Sequence, residues 1–359
     1  IENGRIAKIS TKDFPADKTI NLENQTLYAG FIDIHNHGAV GVDTNEASVD
    51  EFIEVGKFLA KNGVTAWLPT FVPDSDENYQ RQIEMLEKVR AVQNDLPIAQ
   101  VIGVHYEGVF ANLQMCGALR PQYFKTFTGN ELTDLPTLKN AVQHTTYAPE
   151  ISGGIELTKE LTKRGWIPSI GHTKADVATL ENAFAAGAKH ITHLFNAMTG
   201  IHHRDLGVAG WALTKDEISC EIIADKIHVH PKMLKLACET KPSDKMILVS
   251  DSVSPTGLGD GEFEIWGEKV SVVEGKTRNE RGSIAGSVIT MLDAVKNMLS
   301  LGFTPIEVSK MASANPAKLL GIEKDFGTIE VGKRADLVAL DKEGNVTFSM
   351  VGGIQNEER

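Results

Sequence analysis

Seven side chains able to bind a metal or move a proton stand where short apolar runs of the sequence end. His35 and His37 close Phe31-Ile32-Asp33-Ile34-His35-Asn36-His37, and His105 and Glu107 close the run from Gln100. His172 lies in Gly171-His172-Thr173, His193 near the end of His190–Leu194, and Asp251 directly after Met246–Ser250. His35 and His37 are two residues apart, so on a strand their side chains leave the same face. Imidazole nitrogens and carboxylate oxygens suit zinc, iron, manganese or cobalt. An ion in such a cage lowers the pKa of bound water to about 7 and polarises a carbonyl. The chemistry these residues offer is therefore hydrolysis by an activated water.

Taken singly, each motif is weak. A lone His-x-His is more often structural, and a lone Asp after a strand is more often a helix cap. Their joint placement is what counts: potential ligands close five of eight apolar runs, and buried charge is costly without a partner or a metal. His105 reads better as a partner that orients a ligand than as a ligand itself. His144 belongs to no motif and reads as a surface or capping residue. His190 precedes His193 by three positions, which on an extended strand points it to the opposite face.

The elements that must position these residues follow from periodicity. Strand-like runs occur at Phe31–His35, Val64–Phe71, Gln100–His105, Thr145–Ala148, Trp166–Ile170, His190–Leu194, Cys220–Ala224 and Met246–Ser250. Helical periodicity separates most of them, as at Val49–Asn62, Asn78–Val92, Ile155–Arg164 and Ala175–Ala186. Strands alternating with helices imply a parallel sheet, and eight such units imply an α/β fold of the (β/α)8 TIM-barrel type. In a barrel the carboxyl ends of the strands meet on one face, which is where these residues are predicted to converge. Residues 1–29 and 327–359 alternate like strands and are predicted to form a small β-sandwich domain from the two chain ends. The barrel then spans 30–326, with a hairpin inserted at 262–284.

Bulk properties narrow the partners. The chain has 359 residues, 42% of them hydrophobic and 23% charged, and a formal net charge of −12. This acidity excludes a broad nucleic-acid surface, and it requires any anionic substrate to be held by local positive groups. No run approaches the length of a membrane span. The three cysteines, Cys116, Cys220 and Cys238, form no CxxC pair. They read as reduced thiols, which points to a cytoplasmic protein.

Gly30-Phe31-Ile32-Asp33-Ile34-His35-Asn36-His37-Gly38, Asn315-Pro316-Ala317-Lys318 and Gly332-Lys333-Arg334-Ala335-Asp336-Leu337 resemble signatures of the amidohydrolase superfamily. His193-Leu194-Phe195-Asn196-Ala197-Met198, with His202-His203-Arg204 downstream, is more specific. Together with His105-Tyr106-Glu107-Gly108 and Ile223-Ala224-Asp225 through His228, it resembles the N-acetylglucosamine-6-phosphate deacetylase family. That resemblance runs over essentially the whole chain. It implies hydrolysis of the acetamide of N-acetyl-D-glucosamine 6-phosphate by metal-activated water, with Asp251 as acid/base. Glu107, His172 and His193 match the ligands of the main ion. Because His35 and His37 are retained, the resemblance also admits a second ion held by these two, Asp251 and a bridging Glu107. One or two divalent ions per subunit are thus implied, zinc foremost, with iron, manganese or cobalt also suited. Ala118, Leu119, Asn196, Ala197, Arg204, His228, Ile284, Ala285 and Gly286 match substrate-binding positions. Arg204 can reach the phosphate from a partner subunit in relatives, which implies a homodimer. Strand four ends Tyr147-Ala148-Pro149-Glu150, without the lysine that dihydroorotase and hydantoinase relatives use.

Two departures bear on the substrate. Val109 stands where the family has a proline. Leu119 stands where it has a substrate-contacting histidine, and leucine cannot hydrogen-bond a sugar or acetyl group. His228 or Arg120 would have to fill in. Two alternatives therefore stay open: a deacetylase for a related substrate such as N-acetylgalactosamine 6-phosphate, or a sugar-phosphate-binding homologue with weakened catalysis.

Overall fold

The computed structural model describes residues 1–12 and 14–356. Residue 13 and residues 357–359, which fall within the end segments assigned above to a small domain, lie outside the described residues. Eight parallel strands form the centre: β1 (Phe31–Asn36), β2 (Val64–Phe71), β3 (Gly103–Phe110), β4 (Val142–Tyr147), β5 (Ile167–Ile170), β6 (His190–Ile191), β7 (Ser219–Ile223) and β8 (Met246–Val249). Each pairs with the next in chain order. The seam between β8 and β1 closes at the rim. There the Asp251 amide donates to the His35 carbonyl at 2.9 Å, and the His37 amide to the Ser252 carbonyl at 2.8 Å. Buried Asp33 strengthens this seam by accepting from the Ser250 hydroxyl at 2.6 Å.

Helices α1 (Val49–Lys61), α2 (Asp76–Val92), α3 (Gly154–Lys163), α4 (Val177–Ala186), α5 (Gly207–Thr214), α6 (Pro231–Thr240) and α7 (Met291–Ser300) surround the strands. Sequence dictates where α1 begins. Ser48 and Glu51 form a reciprocal capping box, and Phe52, Val55 and Leu59 then bury one face. Among the described residues, β3 and β4 are joined by short 3-10 turns rather than an α-helix. Gly117, Pro121, Gly129 and Pro136 break up that stretch.

The barrel interior has an apolar part and a polar part. Ile32, Ile34, Ala66, Leu68, Ile223, Ile247 and Val249 form one buried cluster with Ala317 and Leu320. His105, His144, His190, Glu221, Thr146, Ser169 and Thr192 are also buried. Hydroxyl and imidazole bonds link four of them: His105 Nε2 with Thr146 Oγ1 at 2.7 Å, Thr146 with Thr192 at 2.7 Å, and Ser169 with Thr192 at 2.6 Å. His144 is thus a barrel-core residue, not the surface or capping group its lack of a motif suggested. It stands opposite His105 in the β3–β4 register, and the two rings stack with centroids 4.2 Å apart.

Both chain ends meet in a four-stranded antiparallel sheet of Thr26–Ala29, Leu337–Leu340, Val346–Val351 and Ile354–Gln355. Ile6, Leu337, Ala339, Phe348 and Met350 bury its apolar face. The insertion after β8 has three strands, Gly261–Ile265, Glu268–Val273 and Lys276–Asn279, one more than the predicted hairpin.

Candidate metal centre and its cavity

The rim of the barrel gathers the ligand candidates into two groups of facing donor atoms, Glu107–His172–His193 and His35–His37–Asp251. In the first, Glu107 Oε1 lies 3.0 Å from His172 Nε2 and 2.9 Å from His193 Nε2, and these two nitrogens are 3.1 Å apart. In the second, His35 and His37 bring their Nε2 atoms to 3.2 Å, with Asp251 Oδ1 3.5 and 3.4 Å away. Glu107 touches both groups, since its oxygens lie 3.4 Å from His35 Nε2 and 3.2 Å from His37 Nε2. All six side chains are buried.

This geometry fits a metal by two independent tests. Donors about 2.0–2.1 Å from one ion in a tetrahedron stand roughly 3.4 Å from each other, close to the spacing seen. The second test is the far side of each ring. His172 Nδ1 meets the Met115 carbonyl at 2.7 Å, His37 Nδ1 the Thr70 carbonyl at 3.1 Å, and His35 Nδ1 Glu221 Oε2 at 3.0 Å. A carbonyl or carboxylate only accepts, so each Nδ1 carries a proton and Nε2 is the nitrogen left to offer a lone pair to a metal. His193 Nδ1 is the exception, without a partner among the described residues.

The backbone is bent to aim these groups. His172, His193 and Asp251 have φ of +47°, +28° and +50°. Left-handed conformations of this kind cost about 1–3 kcal/mol each and cluster at functional sites. The turn at His193 also corrects two expectations. Strand β6 stops at Ile191 rather than Leu194, because the chain leaves extended geometry there. His190 consequently does not face away: its Nε2 meets Glu221 Oε1 at 3.0 Å inside the barrel. His105 hydrogen-bonds Thr70 and Thr146 and packs edge-on against the His35 ring.

Charge in this cluster is mutually sustained. Burial disfavours the charged form of His37, but the hydrogen bonds it donates to Asp251 and Glu107 outweigh it and raise the pKa to about 9. Burial likewise opposes charge on His35, and Glu107 and Asp251 push its pKa well above the ordinary range. Against burial, His35 and the neighbouring imidazoles hold Glu107 well below the ordinary carboxylate range, and His35 and His37 hold Asp251 below it. In the metal-free protein the stability carried by charged His37 is complete below its ordinary pKa of 6.5 and is lost as pH rises through about 9. A metal must displace that proton. Titrating metal-free protein with zinc near neutral pH should therefore release protons, and apparent affinity should climb as pH rises toward 9. Uptake without proton release, or an affinity flat over that range, would contradict this.

Glu107, His172, His193, His37 and Asp251 form one wall of a cavity of about 270 Å³, with His35 buried behind them. Ala118, Leu119, Asn196, Ala197, His228, Ile284 and Gly286 also line it. Ala285 does not; it is buried beneath with Val253, Ile265 and Val270. Arg204 is exposed, does not line the cavity, and its side chain hydrogen-bonds His203 at 2.6 Å. Leu119 packs with Val72, Ala111, Phe124 and Trp266, giving this side an apolar wall. Of the two groups that could replace a histidine there, His228 lines the cavity. Arg120 does not, being tied to Asp74 at 2.6 Å. Asp225 accepts His228 Nδ1 at 2.6 Å, and although burial opposes it this contact raises the His228 pKa. Sequence reasoning missed Trp266, which lines the cavity from the inserted sheet with its ring centroid 5.2 Å from that of His37. No local pattern marked it.

The family model of the amidohydrolase family matches residues 26–355. The chain is 35% identical to N-acetylglucosamine-6-phosphate deacetylase of Bacillus subtilis (strain 168), covering 98% of this chain and 91% of that protein. It is 34% identical to N-acetylgalactosamine-6-phosphate deacetylase of Escherichia coli O157:H7, over 95% and 89% of the two chains. The crystal structure of N-acetylglucosamine-6-phosphate deacetylase from Pasteurella multocida superposes with a TM-score of 0.92, at 30% identity, over 100% of this chain and 94% of that one. A mutant of the Mycobacterium smegmatis enzyme in complex with N-acetyl-D-glucosamine 6-phosphate superposes with a TM-score of 0.90 at 29% identity, over 99% and 93%. Fold, rim geometry and these likenesses agree, and the chain belongs to the amidohydrolase family.

Proposed function

We propose that this chain hydrolyses the acetamide of N-acetyl-D-glucosamine 6-phosphate to glucosamine 6-phosphate and acetate. The observation that carries this reading is the pair of ligand groups sharing Glu107 at the wall of a cavity, in a chain about a third identical to such deacetylases. One or two divalent ions, zinc first among them, held by Glu107, His172, His193, His35, His37 and Asp251 would acidify a water and polarise the acetamide carbonyl. Asp251 holds Oδ1 3.5 and 3.4 Å from the Nε2 atoms of His35 and His37, beside the place of that water, so its carboxylate can accept the proton of the attacking water. As the C–N bond breaks, the same carboxyl returns that proton to the leaving amine. Water thus supplies the oxygen of acetate and the new N–H. His228, Asn196, Ala197, Ala118, Leu119, Ile284 and Gly286 would hold the sugar phosphate, Ala285 supporting that wall from beneath.

We also propose a homodimer in which Arg204 enters the partner's cavity and clamps the phosphate. Arg204 stands off its own cavity, flanked by the exposed apolar residues Ile201 and Leu206. Arg204→Ala should then raise KM for the phosphorylated sugar about 10- to 100-fold, the worth of a charged hydrogen bond. Its kcat should change far less. An unchanged KM would remove the phosphate role. The same reading takes 30–326 as the barrel domain and 1–29 with 327–359 as the small one. It places the protein in the cytoplasm, in keeping with three free cysteines and no described helix long and apolar enough to cross a membrane.

A second reading is deacetylation of N-acetylgalactosamine 6-phosphate. Leu119 and the likeness to the Escherichia coli enzyme favour it. Acetate release measured on both sugar phosphates and on unphosphorylated N-acetylglucosamine separates the two. The larger kcat/KM with the gluco epimer supports the first reading; a larger value with the galacto epimer replaces it.

A further inference from the structure

We propose that Glu221, in the middle of β7, is a positioning residue that holds His35 in its metal-binding form and fastens the turn carrying His193. This rests on His35 and His193 being metal ligands. Glu221 sits in the otherwise apolar run Cys220-Glu221-Ile222-Ile223 and is completely buried. A carboxylate there is tolerated only if its oxygens are fully engaged. They are. Oε2 accepts from His35 Nδ1 at 3.0 Å and from the His193 backbone amide at 3.2 Å. Oε1 takes His190 Nε2 at 3.0 Å, while His190 Nδ1 meets Ser219 Oγ at 2.8 Å. The Glu221 backbone carbonyl adds the Leu194 amide at 2.9 Å.

One residue therefore ties together β1, β6 and the left-handed corner at His193, and so reaches both ligand groups from beneath. Its effect on His35 is chemical as well as mechanical. A carboxylate facing Nδ1 keeps the proton there, leaves the Nε2 lone pair pointing at His37, Glu107 and Asp251, and makes that nitrogen a stronger donor. His144, His190 and Glu221 also have the donor types of a metal group. Both Glu221 oxygens, however, already serve N–H donors, which favours the positioning role.

Two substitutions grade the effect. In Glu221→Gln the backbone amide of His193 cannot change its polarity, so the amide oxygen must stay toward His193 and His35. The NH2 then faces His190, which can shift its proton to Nδ1 and donate to Ser219. This variant should bind zinc within about threefold of wild type, with the His35 Nδ1 proton resonance moved upfield because a neutral acceptor is weaker. Glu221→Met offers no acceptor. It should lose that downfield resonance and bind zinc about 10- to 100-fold more weakly in competition with a chromophoric chelator.

A folded Glu221→Met protein with wild-type zinc affinity would overturn the proposal. If that variant does not fold, an unmoved His35 resonance in zinc-loaded Glu221→Gln would overturn it instead. His35→Ala, measured beside them, keeps the two readings apart. Unaltered zinc binding there refutes His35 as a ligand, whatever Glu221 does. An ion that Glu221→Met loses but His35→Ala retains would assign the His144–His190–Glu221 group to metal and replace the positioning role.

Discussion

Asp251→Asn should lower kcat for acetate release by about 10²–10⁴-fold, the usual worth of positioned acid–base catalysis, while metal content stays close to wild type. The seat of residue 251 is built by the backbone. Its amide donates to the His35 carbonyl at 2.9 Å, and its carbonyl accepts from the Ser287 amide at 2.7 Å. An asparagine keeps those bonds and still offers an oxygen toward His35 and His37. It cannot take up and return a proton at neutral pH. The loss should therefore fall on kcat, with KM for the sugar phosphate nearly unchanged. Parallel kinetics and metal analysis on the same preparation decide it. Near-normal turnover would remove Asp251 from the proton transfers, and a parallel loss of metal would make it chiefly a ligand.

Glu107→Ala should have the larger effect on the metal. Glu107 faces the donor atoms of both ligand groups, with Oε1 toward His172, His193 and His35 and Oε2 toward His37. Removing it leaves four imidazoles crowded together without their shared anion. Breaking a buried charge pair by deleting one partner costs about 3–5 kcal/mol, which corresponds to roughly a 10²- to 10⁴-fold loss in metal affinity. Turnover should fall with occupancy. The variant's metal content, measured after dialysis and compared with wild type, checks this. Full occupancy in Glu107→Ala would show that the two groups do not depend on a common carboxylate.

The parts of this site that sequence revealed were those with a local signature. Alternation of apolar runs with helical periods gave the barrel, and a barrel puts strand ends on one face. His35, His37, Glu107, His172, His193 and Asp251 could thus be placed together although nothing nearby in the chain joins them. What sequence hid depends on register and backbone bending. His144 has no motif, and its burial follows from standing opposite His105 across the β3–β4 pair. His190 was assigned to the wrong side because the strand was taken as extended through His193, where φ is +28°. Glu221 did leave a signal, a lone charge inside Cys220-Glu221-Ile222-Ile223, but its partners come from β1 and β6 and appear only when the barrel closes. The third strand of the insertion, Lys276–Asn279, is polar throughout and shows no alternation. Trp266 owes its place at the cavity to the turn between two inserted strands, a position that periodicity does not report.

One titration tests metal-dependent deacetylation of N-acetylglucosamine 6-phosphate most directly. Protein stripped by a chelator is reloaded with zinc in steps, and bound metal and acetate release from the sugar phosphate are measured on each sample. Stripped protein should release almost no acetate, and the rate should rise with occupancy, saturating at one or two ions per chain. Undiminished acetate release after stripping, or fully loaded protein that releases none, would contradict it.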